Sequence, residues 1–254
     1  MEEVSIVNQV ALVTGGSRGI GAATALLAAE RGYAVCITYK NNREAADAVV
    51  GEITRKGGKA IALAGDAGVE ADVMRVFAQM DAALGRITAL VNNAGILERQ
   101  MRVDEMPVDR LYRVLTTNVI GSFLCAREAV RRMSTRHGGN GGAIVNLSSA
   151  AARLGGPNEY VDYAASKGAI DTFTIGLAKE VAAEGIRVNA VRPGVIYTDI
   201  HASGGEPNRV ERVKGAVPMQ RGGHPHEVAR AILWLLSDEA SYSTGTIVDV
   251  SGGR

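Results

Sequence analysis

Short β-branched and alanine-rich apolar runs alternate along this chain with longer stretches in which apolar residues recur at helical spacing. Val10–Thr14, Ala34–Tyr39, Ala60–Ala64, Ala89–Val91, Ala143–Leu147, Ile186–Val191 and Ile247–Val250 have the length and composition of strands. Between them, Ile20–Arg31, Arg43–Arg55, Glu70–Leu84, Val108–Met133, Val161–Ala183 and His226–Leu236 carry helical patterns. Such alternation predicts an α/β fold: a doubly wound sheet of seven parallel strands with helices on both faces. Ligands of such sheets bind at the carboxyl ends of the strands.

Those ends are polar or rich in glycine. The first strand runs into TGGSRGIG at Thr14–Gly21; Asp66 and Ala67 follow the third, and Asn92, Asn93, Ala94 and Gly95 the fourth. Ser148 and Ser149 follow the fifth, and Pro193, Gly194, Ile196 and Thr198 the sixth. One such cluster would be an ordinary turn or cap. Its repetition at successive strand ends points to a bound ligand. In TGGSRGIG, Gly15, Gly19 and Gly21 allow a sharp turn, close approach of a ligand and tight packing of helix on strand. The helix that follows begins with unpaired N–H groups, which suit a pyrophosphate. The spacing G-x-x-x-G-x-G differs from the commoner dinucleotide fingerprint, and a ligand-free turn is the competing reading.

Composition narrows the picture. At 254 residues, 46% hydrophobic, the chain suits one domain over 1–254 with a large core. Its 28 Lys plus Arg against 27 Asp plus Glu steer it toward neither nucleic acid nor an acidic membrane surface, so small molecules are the expected partners. Cys36 and Cys125 lack disulfide or zinc spacing and read as buried, unreactive thiols; no metal site is expected. MEEVSIVNQ has no secretory pattern and no run is long enough to span a bilayer, which makes the cytoplasm the expected compartment.

Taken together, TGGSRGIG, NNAG at 92–95, Asn118, Ser148–Ser149, YAASK at 163–167 and RPGVIYT at 192–198 resemble the short-chain dehydrogenase/reductase family over nearly the whole chain. More closely, REAVRRM, GGAIVNLSSAAARLG, EYVDYAASKGAID and HASGGEP look like bacterial oxidoreductases labelled glucose-1-dehydrogenase-like or similar to 3-oxoacyl-carrier-protein reductases. The resemblance implies a Rossmann-type fold, a nicotinamide cofactor and catalysis by Asn118, Ser149, Tyr163 and Lys167.

The residues carry part of that chemistry unaided. Tyr163 and Lys167 stand four apart in a helical pattern, so they share a face. A nearby ammonium favours phenolate, which predicts a Tyr163 pKa below its reference and a general acid or base. Ser149 is expected to hold the substrate oxygen against the Tyr163 hydroxyl; Ser148, on the other face of the strand, is expected to be structural. By resemblance, Lys167 also binds the nicotinamide ribose and Asn118 completes a water-mediated proton path. The interval from Ser149 to Tyr163 is one residue longer than usual for the family, through Arg153–Glu159. Tyr160 lacks a lysine four residues on and reads as pocket wall.

An NAD enzyme places a carboxylate at the end of the second strand. Here that position reads Tyr39, Lys40, Asn41, and Arg18, Lys40 or Arg43 is available to a 2′-phosphate, so NADP is expected, with NAD possible. By resemblance, Asp66 contacts the adenine, Asn92, Asn93, Ala94 and Gly95 line the adenine and ribose, and Pro193–Thr198 meet the carboxamide. The remaining cofactor contacts are expected at Gly15, Ser17, Arg18, Gly19, Ile20, Ala67, Tyr163 and Lys167.

Residues 199–226, with three prolines and five glycines, are expected to form an irregular substrate lid. His201, His224 and His226 read as lid-surface or capping residues. Pocket walls are expected at Leu97, Ala151, Arg153, Tyr160 and Ile196, with Arg153 facing an anionic substrate or solvent. The basic run Arg127, Arg131, Arg132, Arg136, His137 lacks interleaved aromatics and reads as a solvated face or subunit contact rather than a nucleic-acid site. By resemblance the protein is a homotetramer. The expected activity is NADP-preferring interconversion of a carbonyl and a secondary alcohol; a sugar dehydrogenase and a non-catalytic dinucleotide-binding sensor are the alternatives.

Overall fold

A computed structural model describes residues 9–254; most of the N-terminal segment weighed as a leader lies outside the described residues. Seven strands form: β1 (Val10–Val13), β2 (Ala34–Tyr39), β3 (Ala60–Ala64), β4 (Ala89–Asn92), β5 (Gly142–Leu147), β6 (Ile186–Pro193) and β7 (Ile247–Val250). They make one sheet in the order β3-β2-β1-β4-β5-β6-β7, every neighbouring pair parallel. The chain reverses its direction of travel between β1 and β4, which opens a crevice at their carboxyl ends.

Both faces are covered because successive residues of each strand point to opposite sides. Ala11 and Val13 of β1 pack under α1 (Gly19–Glu30), α2 (Arg43–Arg55) and α10 (Pro225–Leu236), with Ala25, Ile53 and Ile232 in that layer. Val10 and Leu12 face the other way, toward α3 (Glu70–Leu84), α5 (Gly121–Met133) and α7 (Val161–Val181), where Phe77, Met80, Met133 and Val181 fill the layer. Cys36 and Cys125 sit in this second layer, and burial pushes both thiols up to about 12. They are protonated, inert core residues.

The helix expected over Val108–Met133 is interrupted. It forms as α4 (Val108–Leu115), a π-helical turn over Thr116–Ile120 that contains Asn118, and α5. Gly121 permits close passage there: a Cβ would come within 3.0 Å of the Ala67 carbonyl oxygen. The basic run on α5 is largely engaged in ion pairs, Arg127 with Glu70, Arg131 with Glu128, and Arg132 with both Glu128 and Asp81.

The segment 199–226 departs from the irregular lid expected of it. Two short helices form, α8 (Ile200–Ser203) and α9 (Arg209–Val213), because Val210, Val213 and Val217 have their own small apolar cluster with Val195. Glycines and prolines break that segment into pieces without preventing each from folding. A further short helix, α6 (Ala151–Leu154), follows β5, and a glycine-containing turn separates it from α7. Gly155, Gly156 and Asn158 there adopt φ of 76°, 56° and 61°.

Candidate active site

The glycine turn is held open by its neighbours. Thr38 Oγ1 accepts from Gly15 N at 3.0 Å, and Asn93 Nδ2 donates to the carbonyls of Thr14 (2.8 Å) and Gly15 (3.0 Å). Thr14 Oγ1 in turn accepts from the backbone N–H groups of Asn93 and Ala94. A Cβ at Gly21 would lie 2.4 Å from the Gly15 carbonyl oxygen and 2.5 Å from Asn93 Nδ2, so only glycine lets α1 dock this closely on the turn. Asn93 thus spends its side-chain amide on the turn itself.

A groove of about 630 Å³ runs past this turn. Gly15, Ser17, Arg18, Gly19, Ile20, Tyr39, Lys40, Asn41, Asp66, Ala67, Asn93, Ala94, Gly95 and Thr198 all line it. Thr38, Asn42, Thr117, Asp199 and Ser203 line it too, without having been expected to. It meets a second cavity, of about 490 Å³, at Ile20, Asn93, Gly95, Thr198 and Ile200. Ser149, Tyr163, Lys167, Pro193, Gly194 and Ile196 line that second cavity. A backbone-lined turn at a helix N-terminus, flanked by Arg18 and Lys40, is a donor set suited to the phosphates of a dinucleotide. Asn92 is not part of either wall; it is buried and bonds to Asn146, which bonds to Thr174, tying β4, β5 and α7 together.

Within the cavity, Tyr163 and Lys167 do share a face of α7, with Nζ 5.6 Å from the phenol ring centroid. Lys167 is 4% exposed, and its Nζ donates to the Leu147 carbonyl at 2.6 Å. Burial holds its pKa down at about 8, opposed by the charge of Asp171. The expected lowering of the Tyr163 pKa is not found in this geometry. Desolvation raises it above its ordinary value, while Ser149 and the charge of Arg209 pull the other way. The lysine's charge is directed at the Leu147 carbonyl, and burial of the phenol dominates.

Ser148 Oγ donates to the Lys167 carbonyl at 3.2 Å and is buried, as its place on the strand predicts. Ser149 Oγ accepts from Ala151 N at 3.1 Å and lines the cavity. Asn118 sits behind the wall: its Oδ1 accepts from Ile96 N (2.8 Å) and its Nδ2 donates to Ile96 O and Ser166 Oγ (both 3.1 Å). A Cβ on Gly95 would meet Asn118 Oδ1 at 3.4 Å and Lys167 Nζ at 3.6 Å, so these two groups converge on the same glycine.

Several charged residues are engaged in pairs that local sequence does not show. Lys40 forms an ion pair with Asp66 at 2.6 Å, so the residues expected at the phosphate and the adenine bind each other; Arg43 pairs with Asp47 on the surface. Arg153 is outside the cavity wall and exposed to solvent, the second of its two expected places; there it donates to the Arg254 carbonyl at 2.9 Å and pairs with Asp249. Arg209, 50 residues from its partner Glu159, lines the cavity unexpectedly. It pairs with Glu159 (2.7 Å) and Glu206 (2.9 Å) and stacks 4.8 Å over the Tyr160 ring; Arg212 pairs with the same two carboxylates. The signal available for Arg209 was the helical spacing of Val210 and Val213, which turns its neighbour outward from their cluster. His224 caps α10, its N–H donating to Glu227 at 2.8 Å, whereas His201 is part of the cavity wall.

The buried lysine makes a stability prediction. Its folded pKa of about 8 lies below its ordinary value of 10.5, so between those limits the unfolded chain holds a proton that the folded protein has released. Stability from this group therefore rises with pH across that window. Urea denaturation of the wild type and Lys167→Met at several pH values should show the wild type gaining on the variant between pH 8 and 10.5; parallel curves would exclude a depressed lysine.

A family model described as enoyl-(acyl carrier protein) reductase matches residues 15–254. The chain is 61% identical over 245 residues to an uncharacterized oxidoreductase, YgfF, of Escherichia coli, covering 96% of this chain and 99% of that one. A 3-oxoacyl-[acyl-carrier-protein] reductase of Synechocystis is 39% identical, with 96% of each chain covered. A glucose and ribitol dehydrogenase homolog of rice, Oryza sativa subsp. japonica, is 38% identical, covering 97% of this chain and 85% of that one. Among solved structures, a mutant short-chain dehydrogenase/reductase of Serratia marcescens superposes with a TM-score of 0.89 at 33% identity, covering 96% and 97% of the two chains. Fold and matches define an oxidoreductase that uses a nicotinamide dinucleotide. The chain belongs to the short-chain dehydrogenase/reductase family.

Proposed function

We propose that this protein is an NADP-preferring enzyme that interconverts a carbonyl group and a secondary alcohol, with Tyr163 as general acid or base. The observation that carries this reading is the convergence of Ser149, Tyr163 and Lys167 on one cavity that opens into the dinucleotide-sized groove. When bound, the nicotinamide supplies or accepts the hydride. In the reducing direction the Tyr163 hydroxyl donates its proton to the substrate oxygen, which Ser149 holds in place by a hydrogen bond. Burial keeps that phenol protonated, which suits an acid in carbonyl reduction. Lys167 stands to replenish the proton from the side of Gly95, where Asn118 also lies. Residues 199–226, whose two helices contribute His201 and Arg209 to the cavity, act as the lid of a single domain spanning the chain.

The preference for NADP is supported by the absence of a carboxylate at Tyr39–Asn41 and by Arg18 and Lys40 in the groove wall. The Lys40 side chain is 64% exposed, so its ion pair with Asp66 leaves it open to a 2′-phosphate. A homotetramer fits the apolar surface along α4, the π turn and α5, where Val108, Tyr112, Ile120 and Phe123 are exposed; sedimentation equilibrium should give four times the chain mass. Oxidation of NADPH and NADH over ketones, diketones and acyl thioesters, with glucose oxidation run in parallel, tests the main reading. Faster turnover with NADPH is the expected result. Equal or better use of NADH would remove the cofactor preference, glucose oxidation alone would favour the sugar dehydrogenase, and tight NADPH binding without any turnover would favour a sensor.

A further inference from the structure

Arg110 and Asp162 form the most deeply buried ion pair among the described residues. Nε and Nη2 of the arginine donate to the two oxygens of the carboxylate, and Nη1 donates to the Arg99 carbonyl, so all three nitrogens are engaged. Stability does not account for such a pair. Desolvating two charges offsets most of their attraction, and well-packed apolar side chains of similar volume hold a fold together as well or better. The helix dipole favours a carboxylate in the first turn of α7, but an exposed one would have that benefit without the desolvation. What the two-pronged contact does supply is a fixed geometry between the groups it joins.

That geometry is applied at the start of α7, where Tyr163 is the third residue of the helix. Helix ends fray unless they are capped or packed, and α7 begins without a side-chain cap, after a loop in which Gly155, Gly156 and Asn158 all have positive φ. Asp162 and Ser166 stand four apart and so share one face of α7. Each is held from the segment that runs through α4 and the π turn: Asp162 by Arg110, and Ser166 by Asn118 Nδ2 at 3.1 Å. Ser166 Oγ in turn donates to the Tyr163 carbonyl at 2.7 Å. Two grips along one face fix the rotation of the first turns about their axis, and with it the direction in which Tyr163, between them, presents its hydroxyl. Through the Arg99 carbonyl, Arg110 ties the same point to the loop whose Leu97 lines the cavity.

We infer that Arg110 and Asp162 are positioning residues for the reaction: paired, they set the reach and angle of the Tyr163 hydroxyl toward the substrate oxygen. The inference rests on the reading of Tyr163 as general acid or base. Neither residue lines the cavity or the groove, so the pair acts through the tyrosine helix and not by touching substrate or dinucleotide. A proton donor must lie within hydrogen-bond reach of the atom it serves, and a misplacement of about 1 Å, even from a distant change, costs on the order of 100-fold in rate.

The test is Arg110→Met combined with Asp162→Leu, which removes both charges and keeps the space filled, made in the wild type and in Tyr163→Phe. NADPH oxidation with 2,3-butanedione and with ethyl acetoacetate gives kcat and KM, fluorescence titration gives NADPH affinity, and urea denaturation gives the folded fraction. In the wild type kcat should fall on the order of 10–100-fold while KM and NADPH affinity stay within about threefold. In Tyr163→Phe, where no hydroxyl is left to place, the same change should cost less than about twofold. Arg110→Lys keeps the charge without the fork and should lower kcat by a smaller factor at unchanged KM; it stands in for the double variant if that does not fold. A folded variant with the wild-type kcat, a loss of NADPH affinity as large as the loss of kcat, or an equal loss in the Tyr163→Phe background makes the pair structural and overturns the inference alone. Tyr163→Phe at the wild-type rate, or no turnover of either carbonyl by wild-type protein that binds NADPH, overturns the reading of Tyr163 and the inference together.

Discussion

Tyr163→Phe should lower turnover on the order of 10²–10⁴-fold, the range lost when a positioned general acid is removed. Phenylalanine keeps the ring that packs beside Lys167 and removes only the hydroxyl that faces Ser149, so folding and dinucleotide binding should survive. NADPH binding by fluorescence titration and kcat by absorbance separate the two effects: the first should change little and the second collapse. A variant that keeps its rate would show that the proton comes from elsewhere in the cavity. The pH profile of the wild type adds an independent check. With the phenol raised by burial and Lys167 at about 8, reduction should persist to neutral pH and decline as the lysine proton is lost above about 8.

Arg110→Ala should be the most destabilising single substitution, by about 3–5 kcal/mol, the cost of leaving one member of a buried ion pair unpaired. Arg110 and Asp162 side chains are each 2% exposed and meet in two bonds, Nε to Oδ2 at 2.7 Å and Nη2 to Oδ1 at 3.1 Å; Arg110 also donates to the Arg99 carbonyl. Removing the guanidinium strands the carboxylate in the first turn of α7, next to Tyr163. Arg110→Met combined with Asp162→Leu removes both charges and should recover much of the loss. Chemical denaturation of the single and double variants measures this, and a loss below about 1 kcal/mol, the level of a surface ion pair, would refute it.

Local pattern and distant pairing were unequally legible in the sequence. Each of the seven strands was visible because a strand covered on both faces reads as a short apolar run, and β1, β2 and β5 are buried along nearly their whole length. The Tyr163–Lys167 geometry was visible because four residues on a helix return to the same face. The Arg110–Asp162 pair was not, since its members are 52 residues apart and each, taken alone, is an ordinary charged residue of a helix. Lys40 was read as a free cation for the same reason: the approach of Asp66 from β3 depends on strand pairing, not on local spacing. His201 looked like surface because α8 is too short to show periodicity, and its wall position comes from the bond its ring makes to Ile196.

The π turn at Thr116–Ile120 sets the phase between two helices. In an uninterrupted α-helix each residue advances the face by roughly 100°, so the direction in which α4 presents Arg110 would dictate where α5 presents Cys125 and Met133. A wider turn between them adds a residue without adding a turn of helix, which uncouples the two faces. Arg110 can then point to α7 while Cys125, Ala126, Ala129 and Met133 point to the sheet. Deleting one residue within 116–120 would therefore act as a rotation rather than a shortening, turning one of these two faces out of register with its partner.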